Sequence, residues 1–141
     1  MPDPRIAAVQ DLLTRMVRIP SVTVREEGGG GTGEAELAEF VAGWLRESGI
    51  DVAIQEAAPG RLNVIARLPG RDRSRALLLN SHLDTVEVDG MTVSPYGAEV
   101  HDGRLSGRGS CDAKGCLATF MLAARRLAEE AVPPPIDLLL V

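Results

Sequence analysis

Hydrophobic residues recur at helical spacing in three parts of the chain. The first pattern predicts an amphipathic helix over residues 4–19, which Pro20 ends because proline disfavours the helical conformation in the residue before it. The second lies around residues 37–45, with Gly49 placed to end it. The third covers residues 112–130 and stops at the run VPPP.

Between these helices, apolar residues alternate or run together as they do in strands. The stretches DVAIQE (51–56) and NVIARLPG (63–70) favour strands that end at turn residues. ALLLNSH (76–82) and IDLLLV (136–141) are short continuous apolar runs, which are typical of strands buried on both faces. GRLSG (103–107) predicts a short strand within a glycine-rich region, and residues 23–34 predict a surface loop.

This order of elements predicts an α/β fold. We expect a layered helix–sheet–helix domain with a mixed, largely parallel central sheet. The final run IDLLLV ends without a polar residue, whereas a buried strand is normally followed by a loop or by another element of the fold. We therefore expect residues 1–141 to be the N-terminal part of a longer, truncated domain.

Composition and charge exclude several classes of protein. The net charge of −5 argues against nucleic-acid binding, which needs a basic face. The chain shows neither a signal peptide nor an apolar run long enough to span a membrane, so we expect no membrane partner. Cys111 and Cys116 alone make a disulfide framework or a structural cysteine zinc site improbable, which fits a cytoplasmic location.

Candidate chemistry begins at SHLDTV, at the end of the predicted strand 76–81. His82 and Asp84 are two residues apart, so in extended chain their side chains can point the same way. A neutral imidazole is a good ligand for zinc-like metals, and a carboxylate can accept the other ring N–H. By itself, however, this pattern is more typical of an ordinary strand-end turn.

The second candidate stretch is GRGSCDAKG, residues 107–115. Glycines before a helix indicate close backbone approach or unusual dihedral angles. Asp112 falls near the start of the third helix, where the ordinary role of an aspartate is the N-cap. Nucleotide binding is disfavoured, because Lys114 precedes Gly115 with no hydroxyl after it and Asp112 replaces the third glycine of a dinucleotide loop.

Taken together, the two stretches resemble one family. SHLDTV at a strand end, followed by DGRLSGRGSCDAKG leading into a helix, is similar to the co-catalytic zinc amidohydrolases and exopeptidases. These include acetylornithine deacetylase, succinyl-diaminopimelate desuccinylase, aminoacylase and glutamate carboxypeptidase. VRIPSVT (17–23) and NVIARLPG also resemble the family's N-terminal region, and GMTVSPYG (90–97) favours the acetylornithine deacetylase and succinyl-diaminopimelate desuccinylase branch.

The resemblance implies a role for each candidate residue. His82 would bind one zinc ion, Asp112 would bridge two zinc ions, and Asp84 would orient His82. It also implies a cis peptide bond at Asp112–Ala113, and zinc as the cofactor, with cobalt as an alternative. The implied reaction is hydrolysis of an amide bond in an N-acyl amino acid or small peptide, in which two metal ions polarise the carbonyl and activate a water molecule.

The family's general-base glutamate, its remaining ligands and its lid domain, which usually carries the homodimer contact, match nothing in this sequence. We therefore expect this chain alone to bind zinc weakly and to hydrolyse nothing. His101 lies in a loop and is read as an exposed residue. Two alternatives remain: a non-catalytic truncated product or interaction module that keeps the scaffold, and, less favoured, a metal-dependent phosphoesterase, which would need further histidines.

Overall fold

A computed structural model describes residues 3–24 and 31–141 of the chain. The middle of the predicted glycine-rich loop, residues 25–30, therefore lies outside the described residues. The helices and strands, in chain order, are α1 (Pro4–Val17), α2 (Ala35–Glu47), β1 (Asp51–Ala58), β2 (Arg61–Leu68), β3 (Asp72–Leu79), β4 (Glu99–His101), β5 (Arg104–Ser106), α3 (Lys114–Glu129) and β6 (Ile136–Leu140).

The ends of the helices follow from local chemistry. Asp3 caps α1, because its side chain accepts a hydrogen bond from the backbone N–H of Arg5 at 2.9 Å. After α2, Gly49 adopts a φ of 74°, a conformation that favours glycine, and so turns the chain into β1. The three helices predicted from the sequence are thus confirmed, with their ends shifted by two residues at most where bounds were predicted.

The central sheet has four strands in the order β1-β2-β6-β3. The short turn after β1 makes β1 and β2 an antiparallel hairpin, and β2 also pairs with β6 antiparallel. Only β3 and β6 are parallel among the described strands, because α3 lies between them in the chain and supplies the long crossover that parallel pairing requires. The predicted α/β class and mixed sheet are confirmed, but the sheet is largely antiparallel rather than largely parallel.

The described helices cover one face of this sheet. α2 packs on β1 and β2, α3 packs on β6, and α1 packs on α3. The core joins residues from all three helices with alternate residues of β2 and β6, including Leu12, Met16, Leu37, Trp44, Val64, Ala66, Leu117, Met121, Leu138 and Leu140.

Strand β3 differs from the prediction of a strand buried on both faces. Leu77 is 52% exposed and Leu78 is 56% exposed. The reason is that β3 is the last strand in the sheet order and has β6 as its only described neighbour. Burial of β6 is more complete, since Leu138 and Leu140 lie between two strands and beneath the helices.

A small hairpin, β4–β5, stands apart from the central sheet. β5 confirms the short strand predicted in GRLSG, whereas β4 was not predicted. His101, in β4, is exposed, as expected. Among the described residues, no helix combines the length and apolar character needed to cross a membrane.

Candidate metal centre

The candidate site lies at the carboxyl end of β3, where ligands collect in sheets of this kind. β3 ends at Leu79, and backbone hydrogen bonds to Val141 extend its pairing with the β6 side: Val141 N–H donates to Leu79 O at 3.0 Å, and Ser81 N–H donates to Val141 O at 2.9 Å. His82 and Asp84 follow at once. The sheet therefore delivers both side chains to one edge of the fold.

The structure brings the two predicted stretches together. His82 Nε2 lies 2.9 Å from Asp112 Oδ1, although the residues are 30 positions apart in the sequence. On its other side, His82 Nδ1 lies 2.9 Å from the backbone oxygen of Asp84 and 3.2 Å from Asp84 Oδ1. The imidazole is thus held by Asp84 through one nitrogen and faces Asp112 through the other.

Asp112 is presented by a tight loop before α3. It is not the N-cap of the helix, since Ala113 occupies that position, and its side chain is 88% exposed. The Asp112–Ala113 peptide bond is cis, as the resemblance implies. Gly109 has a φ of 80°, and a Cβ there would lie 2.8 Å from Thr85, so the loop packs against the His82 stretch at a point where only glycine fits.

Lys114, the first residue of α3, fixes the end of the loop that carries Asp112. Its side chain is almost fully buried, and Nζ donates hydrogen bonds to the backbone oxygens of Met16 at 3.0 Å and Ile19 at 2.7 Å, at the carboxyl end of α1. Burial lowers the pKa of Lys114 to about 8. These two hydrogen bonds hold the start of α3 against the end of α1.

The electrostatics of the site follow from these contacts. The hydrogen bond with Asp112 is the main reason that the pKa of His82 is raised above its usual value, and partial burial opposes this effect. For Asp84, burial acts to raise the pKa, but hydrogen bonds from Thr23 and interactions with His82 together lower it. Asp84 therefore stays ionised beside the ring, which favours a proton on Nδ1.

This donor set fits one part of a zinc centre. An imidazole nitrogen and a carboxylate oxygen that bind one tetrahedral zinc ion are about 3.3 Å apart, given usual bond lengths. His82 Nε2 and Asp112 Oδ1 are 2.9 Å apart, which is a hydrogen-bond distance, so the pair would have to separate by about 0.4 Å to bind one zinc ion together. Within residues 3–24 and 31–141, no group of three or more His, Cys, Asp or Glu side chains is arranged to hold a metal ion. The described chain thus offers two candidate ligands rather than a closed site.

Two cavities are lined by both His82 and Asp84. A cavity of about 350 Å³ extends over the sheet edge towards α2 and α3, and one of about 250 Å³ lies against residues 107–112. Cys111 borders the smaller cavity. Cys116 is exposed, because the buried face of α3 passes through Lys114, Leu117 and Ala118.

Sequence reasoning did not identify Thr23. Its hydroxyl donates to Asp84 Oδ2 at 2.8 Å across a separation of 61 residues. The only signal for this residue was its place in VRIPSVT, a stretch that carries no metal-binding pattern of its own.

Comparisons with known proteins identify chains that are similar to this one. Residues 78–141 match the model of Peptidase family M20/M25/M40. The chain is 36% identical over 135 residues to a succinyl-diaminopimelate desuccinylase of Parvibaculum lavamentivorans, covering 92% of this chain and 32% of that protein. It is 33% identical over 97 residues to an acetylornithine deacetylase of Vibrio campbellii, covering 67% of this chain and 25% of that protein.

Among solved structures, the fold resembles an M20 family metallo-carboxypeptidase from Sulfolobus solfataricus. The TM-score is 0.76 at 22% identity, and the match covers 94% of this chain and 30% of that chain. This chain thus spans between a quarter and a third of the length of the curated relatives described above.

Proposed function

We propose that this chain belongs to peptidase family M20/M25/M40, whose model matches residues 78–141, and that residues 1–141 form the N-terminal part of the catalytic domain of a zinc-dependent amidohydrolase or exopeptidase. The observation that carries the proposal is the contact between His82 Nε2 and Asp112. The other ring nitrogen of His82, Nδ1, lies within hydrogen-bond distance of Asp84. The coverage of no more than a third of the relatives described above supports assignment to one part of a larger domain.

The proposed substrates are N-acyl amino acids or small peptides. Two relatives favour the acyl amino acid class: one is a desuccinylase and the other a deacetylase, and both exceed 30% identity. The homodimer contact and the cytoplasmic location stay predictions that no observation on this chain tests.

Each residue of the site has a defined task in this proposal. His82 Nε2 and the Asp112 carboxylate would hold zinc, with Asp112 shared between two ions in the whole enzyme. His82 Nδ1–H would donate a hydrogen bond to Asp84, which leaves the Nε2 lone pair free for the metal and increases its basicity. Zinc would supply Lewis acidity to the scissile carbonyl and activate a water molecule for attack.

Metal titration of the isolated chain tests the assignment of ligands. Since two ligands are fewer than the four of a closed zinc site, we expect weak zinc binding and no hydrolysis of N-acyl amino acids or dipeptides. Co²⁺, followed by its visible absorption, should bind the wild type weakly and should bind His82→Ala and Asp112→Asn more weakly still. The matched control is His101→Ala, because His101 is exposed and belongs to the β4–β5 hairpin.

Two results would contradict the proposal. Co²⁺ binding that survives His82→Ala unchanged would show that the metal sits elsewhere. Tight, stoichiometric zinc after dialysis, measured by elemental analysis, would show that the chain holds a more complete site than we infer.

Reading the source DNA beyond the codon for Val141 tests the domain assignment: paired glutamates and a later histidine would support it, and an immediate stop codon would favour the non-catalytic alternative.

A further inference from the structure

A short segment outside both site stretches lies alongside the His82 stretch. Residues 21–23 follow α1 and form a parallel bridge between Val22 and Thr85. Thr85 N–H donates to Ser21 O at 2.8 Å, and Thr23 N–H donates to Thr85 O at 2.9 Å. Because Ser21, Val22 and Thr85 are buried, the position of this segment against the site is set by backbone pairing in the interior.

This pairing orients the backbone acceptor of His82. The carbonyl of Asp84 and the N–H of Thr85 belong to one planar trans peptide unit, so they point in opposite directions. Since the N–H is bound to Ser21, the carbonyl is turned towards His82, and Asp84 O lies 2.9 Å from Nδ1.

The side chain of Thr23 orients the second acceptor. Its hydroxyl has one hydrogen and two acceptors in reach, Asp84 Oδ2 at 2.8 Å and Thr85 O at 3.3 Å. The carboxylate is both nearer and charged, so it receives the hydrogen. With Oδ2 held in this way, Oδ1 remains directed at His82 Nδ1, 3.2 Å away.

We propose that residues 21–23 are a positioning element for His82, and that Thr23 is its positioning residue, acting through Asp84. Both acceptors of Nδ1 are fixed by this one segment. They favour hydrogen on Nδ1, which leaves the Nε2 lone pair for a metal ion, whereas the Asp112 carboxylate favours hydrogen on Nε2 in the metal-free chain. The inference rests on the proposed function, because it assigns the segment to the metal centre. The inference adds to the site the hydrogen bond from Thr23 to Asp84, and Thr23 lies outside both candidate stretches.

The matched pair Thr23→Val and Thr23→Ser tests this role. Valine keeps the shape of threonine and removes the hydroxyl, whereas serine keeps the hydroxyl and removes a methyl group. The first measurement uses the metal-free chain in alkaline solution, where an imidazole is neutral. Side-chain ¹⁵N shifts of His82 give the fraction with hydrogen on Nδ1, and exposed His101 in the same sample serves as the reference.

We expect Thr23→Val to lower the Nδ1–H fraction of His82 and Thr23→Ser to keep the wild-type value. The second measurement is the Kd for Co²⁺. Loss of a direct partner of a metal-bound histidine weakens binding by about 10- to 100-fold, and Thr23 acts one contact further out, so about 3- to 10-fold is expected for Thr23→Val. Thermal unfolding of each variant separates this effect from a change in stability alone.

An unchanged Nδ1–H fraction in folded Thr23→Val would overturn the inference. So would equal losses in the valine and serine variants, because they would point to packing of the methyl group. If Thr23→Val does not fold, Thr23→Ala compared with Thr23→Ser carries the same test. A wild-type chain that binds no Co²⁺ would count against the proposed function, while the tautomer comparison would still decide the role of Thr23.

Discussion

Replacing Lys114 by methionine tests whether a buried cation stabilises the loop that carries Asp112. Methionine has a similar length and removes the charge. Ile19 O would lose the one hydrogen bond described for it, whereas Met16 O would keep a bond from the N–H of Ile19. An acceptor left unsatisfied in the interior costs about 1–3 kcal/mol, and we expect the free energy of unfolding to fall by this amount at alkaline pH, where the lysine is neutral in both the folded and the unfolded chain.

The opposing effect is the cost of burying the ammonium group. The lowering of its pKa from 10.5 to about 8 corresponds to about 3 kcal/mol at most. Between these two values the unfolded chain binds more protons than the folded chain, so wild-type stability should rise with pH across that interval. Lys114→Met lacks this rise, and its deficit relative to the wild type should therefore grow with pH.

Urea unfolding followed by circular dichroism, at neutral pH and at several alkaline pH values, measures both effects. The control is Arg126→Met, on the exposed face of the same helix, which should change stability by less than about 0.5 kcal/mol. A Lys114→Met variant as stable as the wild type at alkaline pH would refute the reasoning. It would mean that the carbonyl oxygen of Ile19 does not depend on Lys114 for its hydrogen bond.

Two further predictions concern the core and the response to pH. Leu37→Ala removes a fully buried side chain from α2 and should lower the free energy of unfolding by about 2–5 kcal/mol in urea, and a loss below about 1 kcal/mol would contradict the described packing. Because Asp112 raises the pKa of His82, the stability that this pair contributes to the metal-free chain should be complete below about pH 6.5 and should be lost as the pH rises through the higher folded-state pKa. Urea midpoints of the wild type against pH should show this loss, whereas His82→Gln should not.

Local pattern was sufficient for much of the fold. The three helices and the strands of the central sheet were predictable, because their apolar periodicity, turn glycines and prolines act within a few residues. The direction of strand pairing was not predictable from local pattern. β2 and β3 follow each other closely in the chain, yet β6 lies between them in the sheet. The exposure of Leu77 and Leu78 has the same origin: a strand's apolar character shows that it prefers burial, and its place in the sheet decides whether it is buried.

For the site, the sequence alone determined the residue types and their local arrangement: a histidine and an aspartate at a strand end, and an aspartate in a glycine loop before a helix. Only the tertiary structure decided that His82 and Asp112 meet, that Lys114 lies against the end of α1, and that Thr23 reaches Asp84. These contacts join residues that are 30 to 98 positions apart. Hydrogen bonds act over about 3 Å, so such pairs form only after the packing of helices on the sheet has brought the segments together.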